Sequence, residues 1–515
     1  MRSRTRTDYS ILNISTGIAG YVLNTLLGFV CRIVFVRTLS IDYLGANGLF
    51  TNILTVLSLA ELGVGNAITF ALYKPLAEDD SDKIASIMRL FSRAYRIIGI
   101  GVFIIGIAFM PFLDTVIREK PDISDSLELL YFINLFNVAS SYLFSYRGTL
   151  LVASQRNYVV AGINYIITII QSVIQMIALI IFHNYLIYLL IQTAGIFIYN
   201  IIIFTICKRY FPYVAWKDAK PLEEEEKRSI FTNIRDLLIY RISGILVNST
   251  DNILITFFKG LAVTGLASNY FLLTNTLNGI LSQVFNGLTA SVGNHNVTES
   301  RERQYELFSF LNMMNFWIFG FCGIGFFLCS NDVVKLCFGE QYELPLIIPF
   351  IMALNFFTVG MMNAIWTYKH TLGLFRYGRS IQFLTGVLNI ALSVVLGRKW
   401  GLPGILAATL LSRAMTNLWY DPYAVYKYGF CRNPFEYARR YAGYLVILII
   451  AALASRLSFR IIAGSPVLTL ILKMAFITVI TNGIMLLAFY RTPEFRRLKD
   501  LANKLMKRRR MQGRL

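Results

Sequence analysis

Residues 158–206 read YVVAGINYIITIIQSVIQMIALIIFHNYLIYLLIQTAGIFIYNIIIFTI, without one Asp, Glu, Lys or Arg. Spanning a hydrocarbon core takes about 20 mostly apolar residues at 1.5 Å of rise each, so this stretch is long enough for two passes. His183-Asn184 is the only polar pair placed to turn between them. The same reading extends to the whole chain. Of its 515 residues 56% are hydrophobic and 15% charged, with a mean hydropathy of +0.57. Soluble domains carry roughly a quarter charged residues, so the bilayer is the solvent here.

Working outward on the length rule, spans are expected at 11–36, 43–73, 90–113, 127–152, 158–182, 185–206, 236–258, 262–292, 305–329, 344–370, 380–397, 403–427, 441–459 and 466–490. The fold class is an all-α integral membrane protein of about 14 transmembrane helices (12–14). Arg2, Arg4 and Arg6 ahead of the first apolar run resemble a signal peptide, but no small-x-small cleavage site follows, and an uncleaved first span is expected. With the N-terminus inside, the expected outer loops hold only Arg37, Arg118, Lys120, Lys259, Lys335, Arg398, Lys399, Arg456 and Arg460 of the 49 Lys and Arg. Most of the rest fall in inner segments, which supports an even span number and cytoplasmic N- and C-termini. The net charge of +20 follows the same pattern. Anionic lipid head groups, not nucleic acid, are its expected partner.

Polar segments divide the chain. An N-terminal six-helix bundle is expected at 1–206, a cytoplasmic linker at 207–235 with the run Glu223–Glu226, and a second six-helix bundle at 236–427. Two additional spans occupy 441–490, and a basic tail runs over 491–515. In the tail, Phe495, Leu498, Leu501, Leu505 and Met506 recur at near-helical spacing among basic residues, the pattern of an amphipathic helix on the inner leaflet. Cys31, Cys207, Cys322, Cys329, Cys337 and Cys431 form no CxxC pair, and His183, His295 and His370 lie far apart. No metal site, cofactor or disulfide framework is expected.

Sliding the chain on itself by 220 residues aligns Gly45 with Gly265, Asn66 with Asn286 and Thr69 with Thr289. The match falls at equivalent points of spans 1–2 and 7–8. It points to two bundles related by a parallel repeat, a transporter architecture with the substrate path between the halves. The last two spans have no partner in the repeat.

No enzyme constellation is present. The outer loops are too short for a catalytic domain, and Gly63-Val64-Gly65 lies within a span where packing explains it. The informative residues are ionisable groups inside spans: Arg32, Glu61, Arg147, Arg241, Asp251, Arg413 and Lys473. Each costs roughly 2.5–3.5 kcal/mol on insertion scales, so such groups face a partner or a wet cavity. Arg32, Arg147, Arg241 and Arg413 are the candidates for binding an anionic substrate, because the guanidinium fork gives phosphate two parallel bonds. Arg32, Arg147 and Arg241 lie near span ends, where snorkelling competes with that reading. Lys473 is expected to snorkel outward. Glu61 and Asp251, the acids in this set, are candidates for pairing with an arginine or for coupling transport to a counter-ion, a proton or sodium.

The stretches Arg32–Phe50, Leu59–Ala67 and Leu72–Leu76 resemble the opening of Wzx-type polysaccharide exporters of the multidrug/oligosaccharidyl-lipid/polysaccharide (MOP) superfamily. Asn248–Ile255, with Gly265–Tyr270, is similar to the same family's span 7–8 region. The resemblance implies two six-helix bundles, 12–14 spans and a cationic central cavity, to which Arg32 and Arg147 would belong. It further implies flipping of undecaprenyl-pyrophosphate-linked oligosaccharides across a bacterial plasma membrane by alternating access, alongside polysaccharide-assembly proteins. Within the superfamily, a multidrug/cation antiporter or a peptidoglycan-precursor flippase is the alternative.

Overall fold

The computed structural model describes residues 6–58, 64–117, 121–215, 250–374, 377–462 and 464–500, with isolated residues between 222 and 230. Among the described residues it is helical throughout, with no strand. The quoted stretch forms two helices, Asn157–Phe182 and Tyr185–Tyr210, closed and opened by the pair between them. His183 takes the left-handed conformation (φ 50°), ending the first. The Asn184 side chain accepts from Ile187 N at 3.0 Å, capping the second.

Numbered in chain order, the helices of the first half are α1 (Arg6–Thr38), α2 (Ile41–Leu57), α3 (Val64–Ala77), α4 (Ser81–Phe109), α5 (Leu127–Ala153), α6 (Asn157–Phe182) and α7 (Tyr185–Tyr210). Then come α8 (Asp251–Thr298), α9 (Arg301–Cys337), α10 (Ile347–Thr371), α11 (Arg379–Trp400), α12 (Leu402–Met415), α13 (Asn417–Ala424), α14 (Phe435–Ser458) and α15 (Pro466–Phe489). Eleven helices among the described residues are long and apolar enough to cross a bilayer. Three of the fourteen expected spans are missing from that set for definite reasons. Helix α2 has 17 residues, and residues 59–63 after it lie outside the described part. The region 402–430 is broken into short pieces, and most of 236–258 also lies outside the described residues.

Two compact units divide the chain at Ser268/Asn269. The first therefore takes in the opening of α8, which the sequence reading placed with the second bundle. Inside unit 1, small residues let helices approach closely, the usual device where lipid removes the hydrophobic drive for helix pairing. A Cβ on Gly106 would stand 2.3 Å from Leu135, and the Tyr131 hydroxyl donates to the Gly106 carbonyl at 3.2 Å, joining α4 to α5. The acidic loop before α5 is tied to the start of α2. Ser40 Oγ donates to the Asp122 carbonyl, Asp42 accepts from Asp122 N, and the Tyr43 hydroxyl donates to Asp125 at 2.7 Å.

The repeat is visible in the same unit. The chain turns between α1 and α2 at Leu39-Ser40, and 220 residues later α8 breaks at Gly260 (φ 79°, ψ 174°). A Cβ on Gly45 would lie 2.0 Å from the Leu261 carbonyl oxygen, and one on Gly265 would lie 2.5 Å from that of Ile41. Ile41 and Leu261 are themselves 220 apart, so the contact is reciprocal. Gly48 faces its own repeat mate, Ser268, at 3.2 Å from Oγ. Reciprocal contacts of this kind are the mark of a two-fold relation.

Unit 2 holds a core rich in aromatics from α9, α10, α14 and α15, among them Phe308, Phe316, Phe357, Tyr368, Tyr444 and Phe489. Two expectations meet their outcome here. Lys473 does not snorkel outward: its ammonium pairs with both Asp332 oxygens at 3.0 and 2.7 Å, linking α15 to α9. An ionic partner on the neighbouring helix offsets more of the burial cost than a partial reach to the interface does. The described start of the basic tail, 493–500, is helical and lies on protein. Phe495 stacks on Trp317 (6.2 Å, 14°), Leu498 joins the same core, and Glu494 pairs with Arg440 at 3.2 Å. Residues 501–515, with Leu501, Leu505 and Met506, are outside the described part.

Candidate functional site

Helix α7 carries the surroundings of two candidate arginines. Arg32, in the last two turns of α1, is partly buried beside Cys31, Tyr185 and Tyr188. Phe35 packs edge-on against both tyrosine rings at 5.5 Å, and the Tyr185 hydroxyl donates to Asn47 Oδ1 at 3.2 Å. Arg32 thus lies beside two tyrosines of the first turn of α7, which Phe35 of α1 and Asn47 of α2 hold in place. Arg147, near the end of α5, stacks on Phe204 with 3.6 Å to the ring centroid and donates from Nε to the Tyr146 hydroxyl at 3.2 Å. A cation over an aromatic face is worth up to about 2 kcal/mol when desolvated, so Arg147 is held by more than a reach to the interface.

The two arginines do not converge. Tyr188 and Phe204 are 16 positions apart on α7, about 24 Å at 1.5 Å per residue. Unit 1 therefore places a cation near each end of one membrane-spanning helix instead of gathering both in one pocket.

The remaining candidates occupy helix termini or fall outside. Asp251 opens α8 in its first turn, where the exposed N–H groups favour a carboxylate. Arg413 lies in the last turn of α12, where the carbonyl end favours a cation. Three residues later Thr416 leaves the helical region (φ −130°, ψ −99°). Glu61 and Arg241 lie outside the described residues.

The break at Thr416 belongs to a feature the sequence reading passed over. The expected span 403–427 is discontinuous: α12, the Thr416 break, α13 with an internal Pro422, then a π-helical turn at Val425–Phe430. Interrupted helices and π turns are where transporters place polar chemistry. Polar groups satisfy the break, with Thr385 and Thr416 hydroxyls 2.7 Å apart and Asn389 Nδ2 donating to Thr409 Oγ at 2.9 Å. Below it Asp421 is buried, accepting from the Lys369 ammonium and, at 3.2 Å, from Trp366 Nε1. Gly378 (φ 95°) closes over the pair, and a Cβ there would come within 2.8 Å of Lys369 Nζ. Neither residue was among the expected ionisable groups. Each lies toward the C-terminal end of its expected span, and only the fold shows that they meet.

No protein-family model matches the sequence, and no curated protein matches it. Solved structures do match the fold. One is the lipid II flippase MurJ in an inward closed conformation, at TM-score 0.60 and 14% identity, covering 91% of this chain and 99% of that one. Another is an inward-facing multidrug resistance MATE family transporter of the MOP superfamily, at TM-score 0.57 and 13% identity over 78% of this chain and 94% of that one. A third is the Vibrio cholerae MATE transporter VcmN, at TM-score 0.54 and 12% identity over 84% and 100%. The chain is a multi-pass helical membrane protein with the transporter fold shared by MurJ and the MATE proteins of the MOP superfamily.

Proposed function

We propose that this protein flips a polyprenyl-pyrophosphate-linked oligosaccharide across a bacterial plasma membrane by alternating access, with both termini cytoplasmic. The observation that favours a lipid-linked substrate over a drug is the extent of the structural likeness. The lipid II flippase covers 91% of this chain, against 78% for the MATE transporter with the higher score of the two.

In this reading Arg32 and Arg147 are successive stations for the pyrophosphate along α7. Each guanidinium offers paired charge-assisted bonds, and each is backed by aromatic rings that keep it oriented without a permanent carboxylate partner in the contacts described above. Arg413, at the end of a half-helix, serves the same anion, Arg241 belongs to the same set, and Glu61 and Asp251 serve the counter-ion or pair with an arginine. Anionic lipids hold the basic inner face. Expression of Arg32→Ala or Arg413→Ala protein in a strain lacking the gene tests the assignment. Loss of surface glycan with normal amounts of protein in the membrane supports it. Normal glycan in both variants, or drug resistance conferred by the wild type, moves the assignment to the multidrug/cation antiporters.

A further inference from the structure

The inner half of unit 2 contains a polar stripe that the transport reading does not use. On α9, Ser309, Asn312 and Asn315 follow Tyr305 at helical spacing, and on α14, Tyr437, Tyr441 and Tyr444 do the same. The two helices run the same way. The Tyr305 hydroxyl donates to Glu436 at 3.1 Å, and Phe316 stacks on Tyr444 with centroids 4.4 Å apart. Ser309, Asn312 and Asn315 are at most 4% exposed. Yet Ser309 Oγ, Asn312 Oδ1, both ends of the Asn315 amide and the hydroxyls of Tyr437 and Tyr441 have no hydrogen-bond partner on the protein.

Leaving such atoms dry costs roughly 1–3 kcal/mol each, too much for a group of six in one place. Glu436, at the start of the stripe, is already engaged by Tyr305 and Arg432, and none of the six atoms is a carboxylate, so a cation bound among them would lack a counter-charge in a low-dielectric site. An apolar occupant would satisfy none of the six atoms. Water satisfies all of them, since a buried water makes about three hydrogen bonds and accepts either donors or acceptors.

We propose that Ser309, Asn312, Asn315, Tyr437 and Tyr441 bind a file of water molecules between α9 and α14. The file begins at the charged inner mouth, where Arg432 meets Glu302 and Glu436 and Arg440 meets Glu494. It ends against the rings of Phe316, Tyr444 and Phe489. From Tyr305 to Asn315 it reaches about 15 Å along α9. Helix α14 therefore meets the core over a wet face on its inner half and a dry aromatic one beyond.

X-ray radiolytic labelling of the whole detergent-solubilised protein tests this without any substitution, because bound water is the source of the hydroxyl radical. Tyr437 should be oxidised several-fold faster than Tyr43, which is equally buried, at 6% exposed, but whose hydroxyl already donates to Asp125. Equal rates would overturn the proposal. The melting temperature of Asn315→Leu gives an independent sign. A hydrated amide makes the substitution destabilising, whereas a dry unpartnered amide makes it stabilising, and a rise would count against the file.

Discussion

Gly45 on α2 lies so close to the Leu261 carbonyl that a Cβ would stand 2.0 Å from the oxygen, and Gly265 repeats the relation with Ile41. At such a crossing the two backbones touch through Cα–H groups and carbonyls, a contact only glycine allows. Adding a methyl forces the helices apart. Gly45→Ala and Gly265→Ala should each destabilise by about 1–3 kcal/mol, the usual range for overpacking. Gly28→Ala is the control, because nothing lies within 4 Å of a Cβ there. It should be neutral or stabilising by about 0.5–1 kcal/mol through helix propensity. Thermal unfolding in detergent reads all three, and equal behaviour would refute the crossing.

The Lys369–Asp421 pair makes a second prediction. Removing one partner from a buried pair leaves an uncompensated charge and costs about 3–5 kcal/mol, while replacing both with apolar residues is often far milder. Lys369→Met and Asp421→Leu should each lower the melting temperature sharply, and the double variant should recover much of the loss. Additive losses in the double-mutant cycle would mean that the pair is not coupled.

Arg147 distinguishes charge from shape. Arg147→Lys keeps the positive charge but loses the planar group that stacks on Phe204 and reaches Tyr146. Transport should fall in this variant although its amount in the membrane is unchanged. Full activity in the lysine variant would reduce Arg147 to an interfacial charge.

The tail segment gives a fourth. Phe495→Ala removes the ring stacked on Trp317, so 493–500 should leave the α9 surface and amide exchange there should accelerate. Unchanged protection would show that the Glu494–Arg440 pair alone holds it.

Much of the membrane fold was legible because apolar length is a local property: 158–206 announces two helices by itself. The repeat was legible at one point, Gly45 with Gly265, because close backbone approach demands the same residue in both copies. Individual partners were not legible. Lys473 reads as a lone cation until α9 brings Asp332 beside it, and Asp421 draws no attention until Lys369, 52 positions earlier, arrives from α10. Tail positions 495 and 498 carry the apolar spacing of a lipid-facing helix, but spacing does not say whether the apolar surface opposite is lipid or protein. Arg32 and Arg147 were picked as members of one cavity. The rings beside them, Tyr188 and Phe204, stand 16 positions apart on α7, and which ring each arginine meets is set by the fold and not by its own neighbours in sequence.

A lipid-linked anionic glycan as cargo is tested most directly by a flipping assay. The purified protein is reconstituted in liposomes carrying a fluorescent polyprenyl-pyrophosphate oligosaccharide, and its transfer between leaflets is followed by quenching from outside. The wild type should flip the lipid well above the protein-free rate. Arg32→Ala and Arg147→Ala should each slow flipping by about ten- to a hundredfold, the size of a lost charge-assisted bond of 1.5–3 kcal/mol. A wild-type rate equal to that of empty liposomes, or arginine variants that flip at the wild-type rate, would contradict it.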